Sequence, residues 1–206
     1  MTTRTIAVVS AGLSQPSSTR MLADRLAQAT TEALAERGVT AEVVTVELRD
    51  LAHGITDAML TGFPAGELRT ALEAVTGADG VIAVTPVFMT SYSGLFKSFV
   101  DVIDKDALRE VPVLIGATGG TPRHSLATEY AMRPLFSYLH ADVVGTAVFA
   151  ATDDWAGQGD DMNPLPERIR RAGRELADKV ATRPARSAAA DEFDGTPDFA
   201  ELLGRL

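Results

Sequence analysis

The sequence predicts an α/β fold in which one five-stranded parallel sheet carries helices on both faces. Three observations predict it. Several short apolar runs are continuous rather than alternating, such as TIAVV at 5–9 and GVIAVT at 80–85, which is how strands buried on both faces read. These runs alternate strictly with longer segments whose apolar residues recur every three or four positions. The chain has 206 residues, a length that favours one domain.

Thr5 to Val9 is the first strand. Ser17 to Arg37 follows as a helix, with Met21, Leu22, Leu26, Ala29, Ala33 and Leu34 on one side and Gly38 as its stop. Ala41 to Leu48 is the second strand, followed by a loop and a helix over about 66–76. Gly80 to Thr85 is the third strand, and Leu95 to Ile103 begins another helix. Pro112 to Thr118 is the fourth strand, and Arg123 to Leu139 a helix in which Pro134 is either a kink or the first-turn residue of a second helix. Asp142 to Phe149 is the fifth strand, and Pro164 to Thr182 the last long helix. Five β-α units with right-handed crossovers suit a flavodoxin-like three-layer sandwich with strand order 2-1-3-4-5. Such a sheet binds its ligand at the carboxyl ends of its strands, beside the first and third.

Residues 1–182 make up this domain, and 183–206 read as a linker and tail. Ala181 to Ala190 is linker-like, and Asp191 to Leu206 carries Phe199, Leu202 and Leu203 among acids. That tail reads either as frayed chain or as a segment that docks on a partner or sister subunit.

Composition narrows the function. Acids outnumber bases 28 to 19, a net charge of -9, which opposes binding to nucleic acid or to an anionic membrane. The absence of cysteine excludes disulfides, thiolate catalysis and Cys-ligated metals. Three histidines disfavour a His-rich metal site. The N-terminus lacks a signal-peptide layout and no apolar run is long enough to span a membrane, so a soluble cytoplasmic protein is expected.

The chemistry is therefore sought in the loops after strands one, three and four. Ser10 to Thr19 (SAGLSQPSST) leaves a buried strand and enters a helix, with Ser17, Ser18 and Thr19 where free N–H groups converge. That arrangement suits a phosphate, although Ser17 or Ser18 could equally be a plain N-cap. The loop is neither a Rossmann fingerprint nor a Walker sequence. Thr85 to Gly94 (TPVFMTSYSG) offers a stiff backbone ledge with Phe88, Met89 and Tyr92 for a flat aromatic ligand, or an ordinary turn whose aromatics fill the core. Ala117 to His124 (ATGGTPRH) pairs Gly119 with Gly120, so that N–H groups can approach a ring edge, or forms a flexible turn before a helix. The fold would gather all three around one crevice.

SAGLSQPSST, TPVFMTSYSGLFK and ATGGTPRH together resemble the NADPH-dependent FMN reductase family over about residues 4–180. The variant is most similar to the subgroup that supplies reduced flavin to luciferase-like monooxygenases. The resemblance implies FMN as cofactor, NADPH or NADH as donor, and hydride transfer to flavin N5. It implies that Ser10, Gly12, Leu13, Ser17, Ser18 and Thr19 hold the phosphate. Pro86, Val87, Phe88 and Met89, with Ser91 and Tyr92 nearby, would meet the ring and ribityl chain. Thr118, Gly119, Gly120 and Thr121 would contact the pyrimidine end. Arg123 could meet the nucleotide 2′-phosphate or be a solvated first-turn arginine. Two departures stand out: Ser14 replaces an Arg common in the phosphate loop of relatives, and Phe88 replaces a Tyr. No catalytic acid or base is named, because the cofactor carries the chemistry. His124 reads as a structural or rim residue, and His53 and His140 belong to no cluster.

The resemblance also implies a homodimer or homotetramer, for which the wide apolar face with Leu126, Tyr130, Leu135, Phe136, Tyr138 and Leu139 is available. Lys97 falls on a helix face, and Trp155 is a loop anchor or a lid. The Asp153-Asp154 and Asp160-Asp161 pairs read as solvated charges rather than metal ligands. A quinone or azo reductase and a non-enzymatic FMN carrier remain alternatives. A phospho-acceptor domain does not, since its acidic positions hold Thr85 and Ser10-Ala11-Gly12.

Overall fold

In the computed structural model, which describes residues 2–157, 159 and 162–184, the parallel sheet of the expected order forms. Strand β1 (Thr2–Ser10) pairs with β2 (Val39–Glu47) on one side and β3 (Gly80–Phe88) on the other. Next to β3 lies β5 (Pro112–Gly119), and beside that the fifth strand, split into β6 (Asp142–Val143) and β7 (Val148–Ala151). A short β4 (Ser91–Tyr92) turns back antiparallel on β3. Of the linker and tail expected over 183–206, residues 185–206 lie outside the described residues, as does Asp160-Asp161.

The two faces of the sheet carry separate cores, as alternation along a strand requires. Ile6, Val8, Ile82, Val84 and Leu114 pack under α1 (Ser18–Glu36) and α7 (Leu165–Thr182). Ala7, Val9, Val81, Ala83 and Ile115 pack on the opposite face. That face is covered by α2 (Ala52–Thr61), α3 (Gly66–Thr76), α4 (Gly94–Asp101) and α5 (Arg133–Tyr138). Helix α2 falls where the sequence suggested a loop. It contains Gly54, has no side-chain N-cap and buries only Ile55 and Ala58, so its periodic signal is weak.

Two further elements differ from expectation. The segment 123–139 is not one continuous helix: a short 3₁₀ turn at Pro122–His124 and a π-helical turn at Thr128–Met132 precede α5, in whose first turn Pro134 falls, the second of its two readings. Pro134 has no N–H to donate, and the Arg133 N–H reaches back to the Thr128 carbonyl, which widens the turn. The wide apolar face divides accordingly. Phe136 and Leu139 are buried, while Leu126, Tyr130 and Tyr138 remain 60%, 79% and 73% exposed.

The fifth strand breaks between Val143 and Val148 because side chains from two helices satisfy its backbone. Arg133 donates to the carbonyls of Val144 and Gly145. Glu175 of α7 accepts from the Thr146 N–H at 2.7 Å and the Thr146 hydroxyl at 2.6 Å. Burial pushes the Glu175 carboxyl up, but Thr146 and Arg171 together outweigh it and hold it below its ordinary value of 4.5. A lowered folded-state value means this contribution is complete above about pH 4.5 and is lost as pH falls through the folded value. Glu175→Gln is expected to lower stability by about 1 kcal/mol at neutral pH. In urea melts the gap between variant and parent should narrow as pH falls below about 4.5. A gap of constant size across that range would contradict the coupling.

Candidate functional site

The first loop leaves β1 at Ser10 and is tied to both neighbouring strands. The Ala11 N–H donates to the Val84 carbonyl at 2.9 Å, and the Leu48 N–H donates to the Ser10 carbonyl at 2.9 Å. Ser17 is the N-cap of α1, its hydroxyl accepting from the Arg20 N–H at 3.2 Å, while the Met21 N–H donates to the Ser17 carbonyl. Among the described residues this leaves the N–H groups of Ser18 and Thr19 as the open donors of the first turn. A 19-residue helix concentrates partial positive charge there.

Ser10 points toward the same helix end, since alternation sends Ile6 and Val8 to the α1 face and Ser10 with them. Its hydroxyl is fully buried and has no hydrogen-bond partner among the described residues. A buried hydroxyl without a partner costs free energy, and a ligand oxygen would satisfy it. Gly12 completes the cradle. A Cβ there would lie 2.0 Å from the Ser17 hydroxyl and 3.2 Å from the Thr19 Cβ. Leu13 is half in solvent, and Ser14 and Gln15 are exposed.

The second loop is a hairpin rather than an open ledge. Val87 pairs with Tyr92 and Phe88 with Ser91, and the turn is Met89-Thr90, with φ of 47° and 72°. Two left-handed residues make the tight turn that fits strand twist, yet neither is the Asn or Gly that normally announces it. At its base the Ser93 N–H donates to the Thr85 hydroxyl at 3.0 Å, and the Ser93 hydroxyl accepts from the Phe96 N–H, capping α4. Thr85 and Ser93 thus fix the hairpin, a role the sequence signalled only as a hydroxyl at a strand end and another before a helix. Phe88 is 47% exposed and Met89 97% exposed, so apolar surface stands in water beside the cleft. Tyr92 is half-buried against Phe96.

The third loop joins the first directly. The hydroxyls of Thr19 and Thr118, both buried, meet at 2.8 Å, so they bind the start of α1 to the end of β5. The two glycines differ in purpose. A Cβ on Gly119 would sit 2.8 Å from the Phe149 ring, whereas Gly120 faces open space. Thr121 precedes the 3₁₀ turn, and Arg123 on that turn is exposed.

The three loops, 10–19, 85–94 and 117–124, contain no Asp or Glu although the chain carries 28. An acid-free edge on a protein of net charge -9 suits an anionic ligand. By contrast, the groove of about 440 Å³ between β2 and α3 is rimmed by Glu47, Asp50 and Glu67 and repels one. Trp155, on a short helix α6 (Thr152–Trp155), packs against the α1/α7 core with the Arg25 guanidinium 4.9 Å from its ring, as an anchor would. Asp154 accepts from the Ala151 N–H and pairs with Arg168, and Lys97 pairs with Asp101 along α4.

Comparison with known proteins gives this arrangement a family. The family model for NADPH-dependent FMN reductase matches residues 4–156. A protein of Pseudomonas aeruginosa named FMN reductase (NADPH) is 34% identical over 174 residues, covering 84% of this chain and 90% of its own. An NADH-dependent FMN reductase of Pseudomonas fluorescens, SfnF, is 37% identical over 137 residues, covering 66% of this chain and 73% of its own. The crystal structure of an oxidoreductase from Corynebacterium diphtheriae superposes with a TM-score of 0.85 at 45% identity, over 89% of this chain and all of that one. With a family model that spans well over half its length and all three loops inside the match, this chain belongs to the NADPH-dependent FMN reductase family.

Proposed function

We propose that the protein is an NAD(P)H-dependent FMN reductase that delivers reduced flavin to a partner monooxygenase. The observation that carries the reading is the first loop: a buried unpartnered Ser10 hydroxyl, a side-chain-free cradle at Gly12 and two open N–H groups converge where a phosphate would sit. These residues fit FMN, which when bound accepts hydride at N5 and supplies the redox chemistry. Ser10, Gly12, Leu13, Ser17, Ser18 and Thr19 would bind the phosphate end, the buried Thr19 through its backbone N–H. Pro86, Val87, Phe88, Met89, Ser91 and Tyr92 would orient the ring and ribityl chain and exclude water from one ring face. The backbone at Thr118, Gly119, Gly120 and Thr121 would hold the pyrimidine edge with N–H groups that favour added negative charge. Arg123, exposed on the 3₁₀ turn, would meet a nucleotide phosphate.

Relatives named for NADPH and for NADH both match, so either nucleotide fits the reading. The partner assignment comes from the resemblance of the three loop sequences to the subgroup that supplies reduced flavin. The reading also includes self-association into a homodimer or homotetramer through the exposed Leu126, Tyr130 and Tyr138, and reaction in the cytoplasm. Among the described residues no helix is long and apolar enough to cross a membrane. Monomers in light scattering at micromolar concentration would remove the oligomer. Mixing protein, FMN and either nucleotide and following nucleotide absorbance tests the activity. Failure to oxidise both nucleotides with any acceptor overturns it.

Ser10→Ala separates ligand binding from folding. Removing the orphaned hydroxyl is expected to raise the stability of the flavin-free protein by about 1 kcal/mol and to weaken FMN about tenfold. Calorimetric melting with and without FMN checks both signs.

A further inference from the structure

No residue from 10 to 19 carries a positive charge, and a phosphate there would rely on neutral donors alone. Two arginines approach the loop. Arg20, in the first turn of α1, is held by Asp24 at 2.7 Å and by Glu47, so two carboxylates surround its charge. Arg49 is different. Its residue begins just after Leu48, whose N–H is bonded to the Ser10 carbonyl at the root of the loop. With the Gln15 amide oxygen turned toward Arg49, both terminal nitrogens of Arg49 donate to that oxygen, one of them at 3.1 Å. A neutral amide does not compensate the guanidinium. Among the described residues the acidic contact of Arg49 is Asp50 at 3.3 Å, a carboxylate 64% exposed and screened by water. Arg49 therefore spans the loop from root to middle with its charge largely uncompensated.

We propose that Arg49 is the cation of the phosphate site, a binding residue contributed from the strand-two side that makes this loop prefer phosphorylated flavin. The proposal rests on the reading that FMN places its phosphate at this loop. Charge is the operative property, and the bond to Gln15 keeps it in place. A guanidinium there attracts the dianionic end of FMN and has no corresponding group to act on in riboflavin.

Titration by flavin fluorescence quenching, with FMN and with riboflavin, tests it on the purified full chain. Arg49→Gln is expected to raise the Kd for FMN about tenfold at low salt while moving riboflavin less than about twofold. Arg49→Lys should keep FMN binding within about threefold of the parent, since it retains the charge. The difference between parent and Arg49→Gln should shrink in about 1 M salt, which a purely structural role would not produce. Gln15→Ala, which leaves the charge, should cost less than Arg49→Gln. Equal loss of both flavins in Arg49→Gln, or no loss of either, overturns the proposal while parent binding of FMN leaves the site reading intact. A parent protein that quenches neither flavin overturns the site reading itself, and this proposal with it.

Discussion

Gly12→Ala is expected to abolish useful FMN uptake while leaving a folded protein. The added methyl would overlap the Ser17 hydroxyl at 2.0 Å and crowd the Ser17 and Thr19 Cβ atoms at 3.1 and 3.2 Å. Rotating Ser17 away relieves the first overlap but removes the N-cap of α1, a loss of about 1 kcal/mol. The remaining crowding adds about 1–3 kcal/mol if the loop stays in place. The loop has an easier escape, since Leu13 to Pro16 are exposed and can shift outward. That shift widens the cradle and moves the open N–H groups apart. The expected outcome is a Kd for FMN raised at least about 30-fold, with melting temperature little changed, because the strand beneath remains bonded through Ala11 and Ser10. FMN titration beside a thermal melt decides it. Parent-like flavin affinity would show that the ligand does not use this cradle.

The second large effect concerns the fold. Gly173 lies where α7 crosses α1, and a Cβ there would come within 2.9 Å of the Ala29 carbonyl carbon, the Ala29 Cβ and the Thr30 N. Two of these atoms belong to backbone and cannot swing aside. Alanine gains about 1 kcal/mol of helix propensity, but separating two packed helices costs more, so Gly173→Ala is expected to destabilise by about 2 kcal/mol net. For a chain of this size that lowers the melting temperature by about 4–8 °C. Because α1 starts at the phosphate loop, FMN affinity should fall with it, by less than in Gly12→Ala. A variant that melts with the parent would mean the helices pack more loosely than described.

The strands were legible because burial on both faces requires continuous apolar runs, and 112–118 and 80–85 have little else. The fifth strand was read as unbroken because Asp142 to Phe149 is locally a good strand, and the Glu175 that interrupts it lies 29 residues from Thr146. Helix α2 was missed for a local reason, since a glycine and an uncapped start erase its periodicity. The hairpin was missed for the converse reason: Met89 and Thr90 adopt a turn their residue types do not advertise.

By itself the sequence determined the layered sheet, the strand order and which three loops face one another, because periodicity and punctuation are written between near neighbours. Tertiary structure alone decided which hydroxyls remain open to a ligand. Thr19 and Thr118, 99 residues apart, satisfy each other, whereas the Ser10 hydroxyl meets no partner among the described residues. It also decided that Arg49 reaches Gln15 across two adjacent strands. A hydrogen-bond partner is a matter of distance in space, and only the closed fold sets that distance.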